Sequence, residues 1–311
     1  MSDSSKYRID NLANAQVVDL YQTKAALALD VTKLGYQLAE KKYALLTRQN
    51  YYDVLKKQRL VNVKKAAVKR AEIQAKMAKD AYEAGFKARD DMMMAQAQLG
   101  LMKADLSKAQ NDLKLSKIEL NKIMGWDSQE EIELVDDFTT NNKVYNLQEG
   151  LEQALRKRLE IKKSDMECTV ADINMELAKR YTAPNTFDYR QICLDKDNAE
   201  LGRKQAEEAI KAEVRSSYNT VLATKSMLDY VNNSVIQAAE ALKIAEYRYQ
   251  EGYGMPSSVL KSLNMEDAGG TIFEVMAAQE KLCEIEEKVV EITYGYNLAI
   301  SKYEVDICAD N

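Results

Sequence analysis

The sequence predicts an all-α protein made of long antiparallel helical hairpins that pack as coiled coils. The chain has 311 residues but only 11 Gly and 2 Pro, so sharp turns must be few. Residues that favour helices fill the intervals between these breaks. Apolar residues recur every seven positions, which is the period of a left-handed coiled coil. We therefore expect a rod of a few very long helices joined by short turns.

The first long helix is predicted from about Val17 to Ala84, with Gly35 tolerated in its interior. A turn follows, in which Gly85 suits the left-handed conformation that ends a helix. Asp90 or Asp91 is expected to cap the next helix. The apolar residues of the first helix fall on two heptad tracks, Leu20, Leu27 and Leu34, and Val31, Leu38, Leu45 and Tyr52.

The returning helix has the most regular pattern, and Gly125 ends it. Residues 128–146 are the least helical stretch of the chain and contain a candidate short strand at 132–135. We interpret this stretch as a connector between two halves. The predicted seam of the returning helix consists of Met92, Leu99, Leu106, Leu113 and Leu120, opposite Ala95, Met102, Ala109, Ser116 and Ile123.

The second half repeats this organisation. A helix is predicted over 147–180, a break over 183–186, and a second very long helix that ends at Gly252. Pro256 lies in the next turn, and a kink is expected at the paired glycines 269–270. The last helix is predicted to end near Tyr303, with a seam of Val275, Leu282, Val289, Tyr296 and Tyr303.

An internal repeat relates the two halves. Placing Tyr51 on Tyr218 also places Gly85 on Gly252 without a gap. The predicted domains are therefore a first helical-hairpin repeat over 1–127, the connector over 128–146, and a second repeat over 147–311. Further matched pairs are Val54 and Val221, Leu55 and Leu222, Val68 and Val235, Ala71 and Ala238, Lys76 and Lys243, Ala78 and Ala245, and Tyr82 and Tyr249.

The composition argues against several classes of function. The chain has no histidine, which excludes Ser-His-Asp and Cys-His catalysis and the usual zinc sites. Its four cysteines show no C-x-x-C spacing. Acidic residues beside Lys at helical spacing are typical of a solvated, salt-bridged face. We therefore expect no catalytic residues, no metal and no cofactor, and we interpret the protein as a non-enzyme.

Charge and hydropathy limit the partners. The net charge is −5 with both signs interspersed, so nucleic-acid binding is not expected. No apolar run is long enough to cross a membrane, and the first residues lack the apolar core of a secretory signal. We expect no direct membrane span in this chain and no signal peptide, unless a signal has been removed.

The two predicted turns resemble the tip signature of TolC-type outer-membrane efflux proteins, which reads roughly Arg-Tyr-x-x-Gly, a short spacer and Asp-Val-Leu. The matching segments are 82–93, with sequence YEAGFKARDDMM, and 248–260, with sequence RYQEGYGMPSSVL. Segment 120–125, LNKIMG, is similar to the motif that closes the first repeat of this family. Segment 154–161, ALRKRLEI, is similar to the motif that opens its second repeat. The resemblance covers about residues 17–303.

This resemblance implies the helical, α-barrel portion of a homotrimeric conduit in the extracytoplasmic cell envelope, working in efflux or type I secretion. It also implies that the hairpin tips dock a periplasmic adaptor with a helical-hairpin structure. Carried over by position, the docking residues are Gly85, Ala88, Arg89 and Asp90 in the first tip, and Gly252, Gly254, Met255 and Ser257 in the second.

One departure from the family concerns the strands that its members insert into each repeat. The equivalent place in the second repeat, 181–199, offers no pair of long amphipathic strands, so the sequence predicts a form that lacks them. The first repeat also lacks its opening helix, and either a natural variant or trimming explains both features. The alternative function is a non-transporting helical scaffold or coiled-coil interaction protein of the envelope, which predicts a dimer or monomer.

Overall fold

A computed structural model of the chain describes residues 11–138, 144–252 and 270–309, and every regular element in these ranges is a helix. A short helix, Leu12–Ala15, and a π-helical turn, Gln16–Leu20, lead directly into the first long helix. The prediction of an all-α fold is confirmed. The framework consists of α1 (Tyr21–Glu83), α2 (Arg89–Met124), α3 (Leu147–Lys157), α4 (Leu159–Tyr181), α5 (Phe187–Glu251) and α6 (Ile272–Asp306).

Polar side chains cap two of these helices at their first residues. Asn146 Oδ1 accepts a hydrogen bond from the N–H of Gln148 at 2.9 Å, which caps α3. Thr186 Oγ1 accepts one from the N–H of Tyr189 at 3.3 Å, at the start of α5. The predicted break over 183–186 is confirmed, since α4 ends before it and α5 begins after it.

The helix predicted over 147–180 is divided at Arg158, and this part of the prediction is wrong. The backbone of Arg158 is extended, with φ −63° and ψ 137°. Its guanidinium binds the carboxylates of Glu160 and Glu213, each at 2.8 Å. Because Glu213 lies far away in the sequence, its ion pair with Arg158 is a tertiary contact that local helix propensity cannot predict.

The predicted capping of α2 by Asp90 or Asp91 is also wrong. The N-cap is Ala88, which has extended backbone and no side-chain hydrogen bond, and α2 begins at Arg89. Both aspartates therefore lie in the first turn of the helix. Carboxylates there interact favourably with the positive end of the helix dipole without accepting a capping hydrogen bond.

The connector contains no strand in its described part, so the candidate strand at 132–135 is wrong. Ile132 is buried in a cluster with Val54 and Leu120. Its carbonyl oxygen accepts a hydrogen bond from Lys117 Nζ at 2.7 Å. The connector is thus held by side chains of α1 and α2, and no neighbouring strand is needed to satisfy its backbone.

The glycine pair at 269–270 does not lie inside a helix. Gly270 has φ +73° and stands in a turn before α6, which begins at Ile272. The predicted kink within a helix is therefore wrong at Gly270, and residue 269 lies outside the described residues.

The chain forms two compact units. Unit 1 comprises Met1–Leu45, Asn142–Thr220 and Ser301–Asn311, and unit 2 comprises Leu46–Asn141 and Val221–Ile300. Helices α1, α5 and α6 contribute residues to both units. The division into two sequential repeats stays a prediction.

In unit 1, ion pairs show that α4 and α5 are antiparallel. Asp165 of α4 pairs with Arg203 of α5 at 2.7 Å, and Asp172 pairs with Lys196, also at 2.7 Å. The residue number rises along α4 as it falls along α5, which is the register of a hairpin. These pairs are exposed to solvent, so they define the register of the two helices but contribute little to stability.

A tyrosine cluster forms a second centre of unit 1. Tyr303 of α6 is 1% exposed, and its ring centroid lies 5.0 Å from that of Tyr145 and 5.8 Å from that of Tyr218. Gly150 of α3 lies against the Tyr303 hydroxyl. The absence of a side chain at Gly150 lets this ring approach the backbone of α3.

In unit 2, α1 and α2 share buried clusters in antiparallel register, as the predicted hairpin requires. The same clusters include residues of α5 and α6. Of the five predicted seam residues of α6, Val275, Leu282 and Tyr296 are buried in this unit, and Tyr303 is buried in unit 1. Shared clusters along α1 and α2 contain Val54 with Leu120, Val68 with Met102, and Ala78 with Ala95.

Polar contacts fix α6 against α1 within unit 2. Gln279 is fully buried, and its Nε2 donates a hydrogen bond to the carbonyl oxygen of Ala67 at 3.0 Å. Arg70 makes a two-pronged contact with the carboxylate of Glu286, at 3.2 and 2.7 Å. Paired guanidinium–carboxylate bonds of this kind are directional, so they add geometric specificity to the apolar packing.

Candidate docking site at the helix turns

The first predicted tip is a tight turn between α1 and α2, centred on Gly85. Gly85 has φ +76°, a conformation in which a side chain would be strained. The N–H of Phe86 donates to the carbonyl oxygen of Ala81, and that of Gly85 to Tyr82, both at 2.9 Å. These two bonds form a Schellman motif, which ends α1 and reverses the chain. The predicted role of Gly85 in the turn is confirmed.

The other docking candidates of this tip, Ala88, Arg89 and Asp90, are all exposed. Sequence reasoning missed Phe86, the most exposed apolar side chain of the turn at 83%. In a Schellman motif the residue after the glycine often packs back onto the helix, and Phe86 does not. The sequence does contain a signal for an exposed aromatic side chain here, because Phe86 directly follows the glycine that ends the helix.

The second tip is described only at its beginning. Gly252 has φ +73°, and its N–H donates to the carbonyl oxygen of Arg248 at 2.9 Å, so α5 ends as predicted. Gly252 is exposed, like Gly85. The remaining candidates Gly254, Met255 and Ser257 lie outside the described residues.

Residues of the first tip contact the end of α5. Lys87 Nζ lies 4.5 Å from the centroid of the Tyr249 ring and 3.5 Å from the carbonyl oxygen of Gly270. Tyr249 is 3% exposed. An ammonium over an aromatic face is attracted by about 0.5–2 kcal/mol, and more strongly when water is excluded. Lys87 therefore connects the first turn to two segments of the second half of the chain.

Charge and burial shift two titrating groups at this contact. Burial, and then the negative charge of Asp91, raises the pKa of the Tyr249 hydroxyl to about 12. Burial, and then the neighbouring charge of Asp90, raises the pKa of the Asp91 carboxyl above its ordinary value, while Lys87 and Tyr249 lower it. Asp91 thus sits in a less hydrated place than an ordinary first-turn carboxylate.

A buried ion pair holds the turn that precedes α6. Arg248 Nη1 lies 3.0 Å from Glu274 Oε1, and the Glu274 side chain is 2% exposed. The second carboxylate oxygen accepts a hydrogen bond from the N–H of Gly270 at 2.9 Å. Because both oxygens of Glu274 have partners, the cost of burying this charge is offset.

Apolar packing supports the first tip and the start of α6 from below. Residues of α1, α2, α5 and α6 meet in one cluster, in which alanines let the helices approach closely. The exposed tip residues are therefore carried by a packed four-helix end rather than by a free loop. The buried members of the cluster are Ala75, Ala78, Ala95, Leu242, Ala245, Tyr249, Ile272, Val275, Ala278 and Leu282.

Unit 1 carries two stripes of large apolar side chains that are exposed to solvent. The α1 stripe consists of Leu29, Tyr36 and Tyr43, and the α5 stripe of Phe187, Leu194 and Leu201. In each stripe the residues are seven apart, so they lie on one face of the helix. Tyr36 is 75% exposed and Phe187 is 73% exposed. The two heptad tracks predicted for α1 from the sequence did not include Leu29, Tyr36 and Tyr43, although these residues also recur every seven positions.

Among the described residues, no helix is both long enough and apolar enough to cross a membrane. The structure likewise places no three of the His, Cys, Asp and Glu side chains of residues 11–138, 144–252 and 270–309 where they could share a metal ion.

No protein-family model and no curated protein matches the sequence. The structure, in contrast, is similar to solved outer-membrane proteins. A membrane protein of Pseudomonas aeruginosa matches with a TM-score of 0.70 at 11% identity, over 92% of this chain and 70% of that one. VceC of Vibrio cholerae matches with a TM-score of 0.63 at 15% identity, over 90% and 74% of the two chains. The open state of the MtrE channel of Neisseria gonorrhoeae matches with a TM-score of 0.58 at 11% identity, over 92% and 70%.

At such low identities the likeness concerns the fold. It spans nearly the whole of this chain and about seven tenths of each of the three solved chains. The resemblance inferred from the two turns is confirmed at this level: the chain has the helical fold of TolC-type outer-membrane channel proteins.

Proposed function

We propose that this chain is a TolC-like helical conduit component of an efflux or type I secretion assembly in the cell envelope. The observation that carries the proposal is the match to outer-membrane channels over about nine tenths of the chain. The solved neighbours are channel proteins, which favours a non-enzymatic role. The two turns at Gly85 and Gly252, both left-handed and both exposed, are consistent with two related hairpin repeats.

The conduit is a homotrimer in this proposal. The α1 stripe and the α5 stripe lie on different helices, so a copy can place one stripe against the other stripe of its neighbour. Such head-to-tail contacts use two different surfaces and close into a ring when the rotation allows it. Heptad spacing supports the same view, because seams of this kind are completed by another helix. TolC-type relatives are trimeric channels, which suggests the number three.

The oligomeric mass in solution tests this assembly. Sedimentation equilibrium should give a trimer for the wild type and a monomer for the variant Tyr36→Glu/Leu194→Glu. The control Ala28→Glu/Ala209→Glu introduces the same two charges at exposed positions of α1 and α5 that lie about a quarter of a turn away from the stripes. It should remain trimeric. A wild-type protein that stays monomeric at all concentrations would refute the closed conduit and favour the scaffold alternative.

The tips dock the helical hairpin of a periplasmic adaptor in this proposal. The first tip offers an aromatic side chain, Phe86, and two charged side chains, Arg89 and Asp90, and all three are exposed. Exposed aromatic and Arg side chains are the types that contribute most to protein interfaces. In this proposal the second tip contributes Gly252, together with Gly254, Met255 and Ser257, which lie outside the described residues.

Binding to an adaptor from the same organism tests the tip. Phe86→Ala and Arg89→Glu should each weaken the complex at least tenfold in biolayer interferometry, without loss of helicity by circular dichroism. Leu115→Ala is the matched control, since Leu115 is also an exposed apolar residue but lies far along α2. Equal weakening by the control, or unchanged binding by both tip variants, would remove the tips from the interface.

A further inference from the structure

Unit 1 contains a cleft where the chain passes from α3 to α4. Its volume is about 330 Å³, and it is lined by α1, by the last turn of α3, by the first turn of α4 and by Cys308 beyond α6. The extended backbone at Arg158 separates α3 from α4 at this place. The cleft therefore depends on the break that the sequence did not predict. Its volume is within the range of about 300–1,000 Å³ that is common for small-molecule sites.

The charged lining of the cleft has a single sign. Four cationic side chains, Lys41, Arg156, Lys157 and Lys162, line it, and none of the described Asp or Glu residues does. Lys41, Arg156 and Lys162 are exposed, and none of the three has an ion-pair partner in the described part of the chain. Cations held together without a carboxylate repel one another, so a bound anion would lower the free energy of the site.

The nearby carboxylates are already engaged. Glu160 and Glu213 each bind the guanidinium of Arg158 at 2.8 Å. Asp306 accepts a hydrogen bond from Lys302 Nζ at 2.9 Å. Arg158 and Lys302 thus keep these anions in their own network, and among the described residues none of these carboxylates pairs with Lys41, Arg156 or Lys162.

The apolar part of the lining is less exposed than Lys41, Arg156 and Lys162, whereas Lys157 is half-buried like the leucines. Leu34 and Leu38 of α1 and Leu159 of α4 are half-buried, and the half-buried thiol of Cys308 lies with them. A ligand that entered would meet leucine side chains at the inner part and ammonium and guanidinium groups at the outer part. This arrangement fits a molecule with an apolar body and an acidic head better than a bare inorganic anion.

We propose that this cleft binds a small anionic amphiphile, such as a medium-chain carboxylate, sulfonate or phosphate ester. The acidic head lies among Lys41, Arg156, Lys157 and Lys162. The apolar body covers Leu34, Leu38 and Leu159 and the thiol of Cys308. The site is separate from the docking surface and does not depend on the proposed transport role.

Calorimetric titration of the full chain with decanoate, below its micelle concentration, tests the site. Decanoate should bind with 1:1 stoichiometry. Acetate and inorganic phosphate lack the apolar body, and decyltrimethylammonium reverses the charge, so each should bind at least tenfold more weakly. Equal affinity for decanoate and decyltrimethylammonium would overturn the proposal, because it would show apolar binding without charge recognition.

Charge reversal locates the site. Lys41→Glu/Arg156→Glu should weaken decanoate binding at least tenfold, whereas Lys24→Glu/Lys204→Glu, which reverses two exposed charges of unit 1 outside the cleft, should leave it within twofold. Bound decanoate should also slow the alkylation of Cys308, followed by site-resolved mass spectrometry, without slowing that of Cys168. Unchanged affinity in the cleft variant, or an unprotected Cys308, would refute the assignment.

Vesicles identify the source of the acidic head. If the wild type sediments with anionic phospholipid vesicles and the Lys41→Glu/Arg156→Glu variant does not, the ligand is a lipid headgroup. Decanoate binding without vesicle binding would identify a free amphiphile.

Discussion

The close approach of Gly150 to Tyr303 gives a prediction whose size follows from the structure. A Cβ added to Gly150 would fall inside the van der Waals envelope of the Tyr303 hydroxyl, 3.2 Å from both Tyr303 Cζ and Ile307 Cγ2. The ring cannot simply move away, because Tyr145 and Tyr218 lie against it. Gly150→Ala should therefore displace a buried aromatic ring.

The magnitude is a balance of two effects. Ala is favoured over Gly inside a helix by about 0.8–1 kcal/mol. Overpacking of a filled core typically costs about 1–3 kcal/mol. The weak hydrogen bond from the Tyr303 hydroxyl to the carbonyl oxygen of Asn146, at 3.5 Å, would be lost as well. We expect a net destabilisation of about 1–2 kcal/mol, the larger overpacking costs being partly relieved by small shifts of α3.

Urea unfolding followed by circular dichroism at fixed protein concentration measures this change. Gly202→Ala is the matched control, because Gly202 lies inside α5 of the same unit and a Cβ there would meet nothing within 4 Å. The control should gain about 0.5–1 kcal/mol. Tyr303→Phe combined with Gly150→Ala should recover part of the loss, since it removes the clashing oxygen. A Gly150→Ala protein as stable as the Gly202→Ala protein would refute the close approach.

Three further predictions concern unit 2. Leu120→Ala should lower the free energy of unfolding by about 2–5 kcal/mol in urea titrations, because Leu120 is 1% exposed within a buried cluster; a loss below 1 kcal/mol would contradict its place in the core. Gly85→Ala should cost about 1–2 kcal/mol through its φ of +76° alone, whereas Gly100→Ala, with open space around a helical glycine, should be neutral or stabilising in the same assay. Burial raises the pKa of the Asp91 carboxyl, so the folded protein holds this proton more tightly than the unfolded chain. The stability of the wild type relative to Asp91→Asn should therefore rise as the pH falls through the folded-state pKa, and a pH-independent difference in parallel urea titrations would contradict the shift.

Local signals in the sequence predicted the helices and the turns at Gly85 and Gly252 well. A glycine in left-handed conformation after a long periodic stretch depends on the residues next to it, so a sequence reveals it. The break at Arg158 was not predictable in this way. It is held by ion pairs, one of which reaches Glu213, and helix-favouring residues surround it.

The candidate docking site could likewise be predicted from the sequence only in part. The chain position of the first tip followed from sequence, but the exposure of Phe86 and the contact of Lys87 with Tyr249 depend on how distant helices meet. The cleft at the start of α4 was missed for the same reason, since its cations come from two distant segments of the chain, Lys41 and residues 156–162.

The hydrogen bond from Gln279 to Ala67 has a consequence for sliding of α6 along α1. Helices with seven-residue apolar repeats can shift by a whole heptad and still bury similar side chains, so apolar packing alone leaves several alignments close in energy. A shift would separate the Gln279 amide from its acceptor and leave a buried donor unsatisfied, at a cost of about 1–3 kcal/mol. The other polar atom of the amide, Oε1, already has no hydrogen-bond partner among the described residues. An apolar side chain at this position would therefore stabilise the core more than Gln279 does. The effect of Gln279 is to favour one alignment of α1 and α6 over the alignments that are shifted by a whole heptad.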